Sequence, residues 1–263
     1  MSGERPAAVA GRFYPADPAE LAAVVDAALH EVEPRAPELP PKALIVPHAG
    51  YLYSGPIAAS AYARLVPHRA RIRRVVLLGP AHFVPVAGLA VSGAAAFRTP
   101  LGTVAVDDEL RRRVLELPQV EVDDRAHARE HSLEVQLPFL QRVLDRFTIL
   151  PLLAGHPTPA ETADVLARVW DAPEALLVVS SDLSHYHDYV TAAARDGRTA
   201  AAIVARDVDG IDVEDACGSA AVRGLLALAR RRDLTVRLLD LRSSGDTEGP
   251  RDEVVGYGAF ALA

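Results

Sequence analysis

The chain is poor in cysteine and holds only one, Cys217, among its 263 residues. A single thiol excludes an internal disulfide, which is typical of proteins from reducing compartments. Cys217 stands near the start of a predicted helix. We therefore interpret it as a small buried side chain, with a reactive thiol as the alternative. The low cysteine content favours a cytoplasmic location.

Long hydrophobic runs and an excess of positive charge are also missing. No apolar stretch reaches the roughly 18 residues that a membrane span needs, and the amino terminus lacks a signal-peptide pattern. Lysine and arginine number 28 against 35 aspartate and glutamate residues, a formal net charge of -7. Because nucleic-acid-binding domains usually carry a basic face, we expect neither a nucleic-acid partner nor a membrane partner.

Hydrophobic residues are abundant and make up 50% of the chain. Short runs rich in Val, Ile and Leu alternate with stretches of helical spacing, such as the one that Asp17 caps and that carries Leu21 and Val25. This alternation is typical of an α/β fold with a sheet covered on both faces. We predict one three-layer α/β/α domain over residues 1–263, with a mostly mixed central sheet and a proline-rich connection at 33–41.

Two element predictions bear directly on a site. The glycines and Pro56 of segment 50–56 predict a loop that leads into a helix over 57–65. Tyr51 and Tyr53 lie in this loop and are expected to line a cleft. The apolar spacing of residues 212–232 predicts one continuous helix.

Four predicted strands each end just before a side chain that can bind a metal or move a proton. These side chains are His48, His82, Asp182 with His185, and Asp246. Ligands of open α/β sheets bind outside the carboxyl ends of the strands. We therefore expect the four strand ends to contribute to a single site.

Two histidines and one carboxylate on separate loops form the ligand set of non-haem ferrous sites. His48, His82 and Asp246 would supply this set, with Fe²⁺ as the expected ion. Zn²⁺ is an alternative, since catalytic zinc also takes three protein ligands and a water. A structural interpretation also stands, in which both histidines are ordinary strand-end side chains.

Asp182 and His185 are three residues apart and are expected to face the same cavity. Imidazoles titrate near neutral pH, so His185 is the candidate general acid or base, with Asp182 orienting it or adding a ligand. The competing interpretation is a helix N-cap beside a surface histidine. A serine hydrolase is disfavoured, because the chain has no Gly-x-Ser-x-Gly elbow.

The stretch 127–139 is unusually polar for the middle of the chain and reads as helical from Ser132. His131 and Glu134 are three residues apart and would share a helical face. We expect them to brace the site or to contact a substrate. The alternative is a capped amphipathic helix without a functional role.

Several motifs, spread in order along nearly the whole chain, resemble one family. They lie at residues 10–15, 46–51, 53–55, 79–82, 130–134, 180–186, 243–246 and 255–257. Examples are Val-Pro-His-Ala-Gly-Tyr ending at Tyr51 and Gly-Pro-Ala-His ending at His82. The sequence resembles the Memo family, whose prokaryotic members are called AmmeMemoRadiSam system protein B. The resemblance implies the fold of class III extradiol ring-cleaving dioxygenases, which use non-haem ferrous iron.

The resemblance also assigns residues to roles. The family's metal-site histidines fall on His48 and His82, and a third ligand that is cysteine in animal members falls on Asp246. An aspartate in place of the cysteine makes the ligand set more like that of the dioxygenases. It also weakens the transfer to this chain of any copper chemistry that depends on a thiolate ligand, although copper stays an alternative metal. The family's acidic residue and histidine beside the metal fall on Asp182 and His185. Acid–base catalysis by His185 is an analogy with the matching histidine of the dioxygenases.

The sequence thus predicts a metal-dependent, dioxygenase-like oxidoreductase of unknown substrate. Its pocket would be lined by Tyr51, Tyr53, His131, Glu134 and Tyr186. One alternative is a non-catalytic metal- or peptide-binding protein that retains the dioxygenase cleft. A zinc-dependent hydrolase on the same ligands is another. The family name further suggests a functional link to a radical SAM enzyme.

Overall fold

The computed structural model describes residues 3–32, 40–172 and 174–263, so most of the predicted connection at 33–41 lies outside the described residues. The strands within these ranges are β1 (Glu4–Arg5), β2 (Ala43–Val46), β3 (Arg74–Pro80), β4 (Leu89–Val91), β5 (Ala96–Thr99), β6 (Gly102–Ala105), β7 (Val120–Val122), β8 (Thr148–Ala154), β9 (Ala175–Ser180), β10 (His185–His187), β11 (Val236–Ser243) and β12 (Val254–Leu262). The α-helices are α1 (Pro18–His30), α2 (Tyr51–Tyr62), α3 (Asp108–Val114), α4 (Asp124–Ala128), α5 (Leu137–Val143), α6 (Pro159–Trp170), α7 (Tyr189–Val204) and α8 (Ser219–Arg231). Short 3₁₀ turns cover Ala63–His68, Glu134–Gln136 and Ser244–Asp246.

The central sheet has the strand order β10-β12-β2-β9-β3-β8-β4-β7, and β11 also pairs with β12. Its middle strands β2, β9, β3 and β8 run parallel to their neighbours, whereas β12 is antiparallel to β2 and β4 is antiparallel to β8. A separate three-stranded sheet contains β1, β5 and β6. The predicted mixed sheet is confirmed.

Strand β2 illustrates why helices cover both faces of the sheet. Its residues are all buried and alternate between two hydrophobic clusters, because successive side chains of a strand point to opposite faces. Leu44 and Val46 join the cluster that contains α1, α2 and α5. Ala43 and Ile45 join the cluster built with α3, α6, α7 and α8. The α/β class with helices on both sides of the sheet is therefore confirmed.

Helix α1 begins as its sequence indicates, because the Asp17 carboxylate caps it by accepting from the amides of Ala19 and Glu20, both at 2.9 Å. Helix α2 begins at Tyr51, so the predicted loop over 50–56 is wrong. The buried Tyr51 amide donates to the carbonyl of Phe13 at 2.8 Å, and this tertiary packing outweighs the cost of Pro56 inside the helix.

The predicted helix over 212–232 is shorter in the structure, where α8 starts only at Ser219. The Asp215 carboxylate accepts from the Asp212 amide at 3.0 Å, a local turn that competes with helix formation. Cys217 consequently lies in a turn that faces the end of β9, since the following Gly218 amide donates to the Ser181 hydroxyl.

Strands β2, β9 and β3 are adjacent and parallel in the middle of the sheet. Their carboxyl ends therefore lie side by side, and the chain continues from them into His48, Asp182 and His82 respectively. Within the described ranges, no helix combines the length and the apolar character that a membrane crossing requires.

Candidate metal centre

Three histidines converge at the carboxyl edge of the sheet. His48 follows β2, His82 follows β3, and His131 lies between α4 and the 3₁₀ turn Glu134–Gln136. One ligand atom from each ring lies within 4.8 Å of the others. The ring centroids are 5.3 Å apart for His48 and His82, and 4.7 Å apart for His82 and His131. We call these residues the histidine trio.

Hydrogen bonds around Ser180 fix the tautomer of His48. The Ser180 hydroxyl donates its single proton to the carbonyl of Ser132 at 2.6 Å and accepts from the Gln136 amide at 2.8 Å. Since that proton is committed, the contact of 2.8 Å between Ser180 Oγ and His48 Nδ1 requires Nδ1 to be the donor. The lone pair of His48 therefore resides on Nε2, where it is available to a metal.

Glu130 holds His82 in the same tautomer. Its carboxylate accepts from His82 Nδ1 at 2.9 Å and from the amides of His82 and Ser132 at 2.6 and 2.9 Å. Burial alone would raise the pKa of this carboxyl, but the adjoining imidazoles of His131 and His82 and the Ser132 amide together hold it well below its usual range. A carboxylate behind a metal-binding imidazole is a recurrent arrangement, because it orients the ring and raises its basicity.

His131 differs from the other two rings in its hydrogen bonding. Its Nδ1 atom is buried and makes no hydrogen bond among the described residues, although Glu130 Oε1 lies 3.2 Å away. The ring packs against Phe13, with centroids 4.6 Å apart. An unpaired buried nitrogen in a group of three imidazoles fits the donor set of a metal site.

The loop that carries His131 is attached directly to the strand ends. The Ser132 hydroxyl donates to the Pro80 carbonyl at 2.9 Å, just before His82, while the Ser132 carbonyl accepts from Ser180. The close approach depends on Gly79, where a Cβ atom would lie only 2.9 Å from Ser132 Oγ. Ser132 therefore links the ends of β3 and β9 to the third histidine.

His48 is the most buried member of the trio, with 2% of its surface exposed. Burial, reinforced by the neighbouring imidazoles of His131 and His82, lowers the pKa of His48 to about 4. The ring is therefore neutral at physiological pH. Asp182 fixes its backbone, because the Asp182 Oδ1 atom accepts from the His48 amide at 2.7 Å.

The thiol of Cys217 lies beside this ring. Its Sγ atom is 3.3 Å from His48 Nε2 and accepts from the Asp182 amide, also at 3.3 Å. Because Nε2 carries the lone pair, the thiol can donate to it, and the Asp182 carbonyl at 3.7 Å is a second, more distant acceptor. Burial raises the pKa of the Cys217 thiol, so the group is protonated at neutral pH. Cys217 as a residue is half-buried rather than fully buried as predicted, and its thiol is part of the centre.

Asp246 does not join the histidine trio, which corrects the predicted ligand set. Its Oδ1 atom accepts from the Tyr189 hydroxyl at 2.6 Å, and its Oδ2 atom accepts from the amide and hydroxyl of Ser243 at 2.8 and 3.0 Å. Oδ2 thus caps the 3₁₀ turn Ser244–Asp246, while Oδ1 is engaged by Tyr189. The third nitrogen or oxygen donor at the site comes from His131 instead.

No hydrogen bond joins the side chains of Asp182 and His185 in the described part of the chain, and the expectation that both face one cavity stays a prediction. Asp182 faces His48, whereas His185 is partly exposed on the edge strand β10. The His185 ring contacts the Tyr186 ring, with centroids 5.7 Å apart. Asp182 therefore acts on the trio through the backbone of His48.

Two residues expected to line the pocket belong to the core instead. Tyr51 is 5% exposed, and its hydroxyl donates to the Val135 carbonyl at 2.6 Å. Glu134 is fully buried, where its carboxylate pairs with Arg5 and accepts from the amides of Ala8 and Val9 and from the Tyr14 hydroxyl. Interior hydrogen bonds therefore hold both side chains.

Two other pocket candidates are exposed. Tyr53 is partly exposed at the start of α2, and Tyr186 is 73% exposed. Tyr186 also has a backbone φ of 60°, in the left-handed region, at the point where the pairing of β10 with β12 shifts register. Strained backbone of this kind in a residue other than glycine is concentrated at functional sites.

Sequence reasoning missed three members of the centre: Glu130 and Ser180 as supports, and Cys217 as a neighbour of His48. The sequence indicated a brace or a substrate contact in this stretch only for His131 with Glu134, and the carboxylate that contacts the trio is that of Glu130 instead. The arrangement as a whole brings three imidazoles together at one point. Imidazole suits zinc, copper, iron and nickel, so the trio could hold a divalent transition-metal ion.

Comparison with known proteins agrees with this architecture. A family model described as "Memo-like protein" matches residues 5–261. A "MEMO1 family protein" of Aquifex aeolicus is 37% identical over 270 residues, covering 96% of this chain and 97% of the relative. Proteins of the same description from Ignicoccus hospitalis and Sulfolobus acidocaldarius are 38% and 33% identical, covering 97% and 95% of this chain and 97% and 96% of each relative. The chain therefore belongs to the Memo family.

Proposed function

We propose that this chain is a metal-dependent oxidoreductase of the non-haem iron type, with the ion held by the histidine trio. The observation that carries the proposal is the convergence of the three ligand atoms within 4.8 Å. The neutral state of His48 and the Glu130 carboxylate behind His82 prepare lone pairs for coordination. A ferrous ion bound there would supply one-electron chemistry and leave coordination positions for a small-molecule or peptide substrate.

In this proposal the chain's own residues divide the remaining tasks. Asp182 holds the backbone of His48, and Glu130 orients the ring of His82. His185, which is partly exposed on β10, exchanges protons with the substrate, a role that imidazole often fills near neutral pH. The exposed ring of Tyr186 contacts the substrate as it enters.

Metal content tests the ligand assignment. Protein purified without oxygen and loaded with ferrous iron should hold about one ion per chain, whereas His48→Ala and His131→Ala should hold almost none. Asp246→Asn is the matched control, because that carboxylate is committed to Tyr189 and Ser243. Loss of iron from Asp246→Asn with retention in His131→Ala would overturn the trio and restore the carboxylate ligand.

Oxygen consumption tests the activity. The iron-loaded protein should consume dioxygen with at least one member of a panel of catechols, other phenolics and small acids, and His185→Gln should lower that rate. A bound ion without turnover across the panel would instead favour the non-catalytic alternative, a metal- or peptide-binding protein.

A zinc-dependent hydrolase is the second candidate, and the all-imidazole ligand set favours it. Three histidines with an open fourth position are a known set for catalytic zinc, which activates a bound water. Reconstitution of the same preparation with zinc or iron, followed by an ester and amide panel, separates the candidates. Hydrolysis with zinc only would displace the oxidoreductase proposal.

A further inference from the structure

A concave surface lies away from the histidine trio. It is a cleft of about 630 Å³ between the segment that precedes β3 and the segment that joins α5 to β8. Arg73 lies in its wall directly before β3, whereas His82 follows the other end of that strand. The seven residues of β3 span about 20 Å, so the cleft and the trio lie at opposite edges of the sheet.

Four arginines line this cleft, although the chain as a whole carries a net charge of -7. Two of them are held in ion pairs. Arg69 pairs with Asp145 across the cleft at 2.6 Å, and Arg142 makes two parallel hydrogen bonds with Asp26 at 2.8 and 2.7 Å. These pairs fix the walls but leave the positive charge of the other two arginines uncompensated.

Arg73 and Arg146 are the arginines without a carboxylate partner among the described residues. The only hydrogen bond of the Arg73 side chain there is from Nε to the Ala70 carbonyl at 3.1 Å, which leaves both terminal nitrogens open. Both arginines are exposed to solvent. The cleft therefore has two guanidinium groups in its lining that have no carboxylate partner among the described residues.

We infer that this cleft binds a small anion with at least two phosphate or carboxylate groups, which bridge Arg73 and Arg146. The planar fork of a guanidinium matches both kinds of group through paired hydrogen bonds. The volume lies in the range of about 300–1,000 Å³ that is usual for small-molecule sites. Because its wall is rich in arginine, the cleft selects ligands by their negative charge rather than by their apolar surface.

Isothermal titration of the full-length protein at low salt tests the inference, with pyrophosphate and citrate as separate probes. We expect at least one probe to bind, with an affinity that falls as salt is added. The double variant Arg73→Gln/Arg146→Gln should weaken binding at least about tenfold, since each lost charged hydrogen bond is worth about that factor. The probe that binds more tightly shows whether the cleft favours phosphate or carboxylate groups.

Arg112→Gln/Arg198→Gln is the matched control, because it removes the same charge from exposed positions outside the cleft. It should leave the dissociation constant within about a factor of two, which separates a local site from a general charge effect. His48→Ala should also bind the probe normally, so failure of the metal proposal does not affect this result. Absence of binding by both probes, or equal weakening in the two double variants, would overturn the inference.

Discussion

The Sγ atom of Cys217 lies 3.3 Å from Nε2 of His48, the nitrogen that carries the lone pair of this ring. A thiol hydrogen bond therefore covers the atom that a metal would bind. For coordination through Nε2, the thiol has to turn aside or lose its proton.

We predict that Cys217→Ala raises the affinity of the centre for zinc or cobalt. Removal of the thiol eliminates a competing hydrogen bond of about 0.5–1.5 kcal/mol, equivalent to roughly two- to tenfold in affinity. Competition with a chromophoric chelator measures the change. A fall in affinity, accompanied by loss of a sulfur-to-cobalt absorption band, would show instead that Cys217 is a ligand.

Glu130→Gln should weaken metal binding about 10- to 100-fold, because the amide cannot replace the carboxylate that orients His82. The same chelator competition applies. Asp124→Asn is a suitable control, since its carboxylate accepts from Ser92 and Gly93 rather than from a histidine of the trio. Equal affinity in Glu130→Gln and the wild type would assign Glu130 a purely structural role.

The buried carboxylate of Glu134 should matter for stability rather than for the metal. Glu134→Ala leaves Arg5 buried without a charge partner, and we expect a loss of about 3–5 kcal/mol in the free energy of unfolding. The double variant Arg5→Met/Glu134→Leu should recover much of this loss. Urea unfolding of the single and double variants measures the coupling, and additive effects would contradict the buried-pair interpretation.

Stability should fall as the pH drops from about 6.5 toward 4. Burial lowers the pKa values of both His48 and His127 to about 4. The unfolded chain therefore binds protons in this window that the folded chain does not. Each histidine contributes up to about 1.4 kcal/mol per pH unit, and this stabilisation is fully present only above the unfolded pKa.

His127→Gln isolates one of the two contributions. His127 Nε2 contacts the Ala90 carbonyl at 3.0 Å, and a glutamine amide can donate to the same carbonyl. The variant should show a shallower loss of stability between pH 6.5 and 4 in urea unfolding. An unchanged slope would mean that His127 does not cause the pH dependence.

The parts of the fold and site that the sequence predicts are those set by local patterns. Apolar runs and their breakers place His48 and His82 at the carboxyl ends of two parallel strands that flank β9, and parallel strands align these ends at one edge of the sheet. Asp246 also follows a strand, yet a local capping turn engages its carboxylate. Periodicity does not reveal such a turn, since it depends on side-chain hydrogen bonds.

The position of His131 and the first residue of α2 could not be predicted from the sequence, and the reason is a different one. The position of His131 depends on contacts of Ser132 with β3 and β9, which are distant in the sequence. Likewise, α2 extends to Tyr51 through a contact with Phe13 that no local pattern encodes. Long-range packing of this kind overrides local preference.

The attachment of Ser132 to two strand ends has a consequence for ion selectivity. The three rings are fastened to a common frame, so their spacing is set before any ion arrives and changes little afterwards. A rigid site binds most tightly an ion whose preferred bond lengths and angles already match it, and binds more weakly an ion that requires the ligands to move. The selectivity of the site among chemically similar cations would then depend on the surrounding scaffold as much as on the imidazoles themselves.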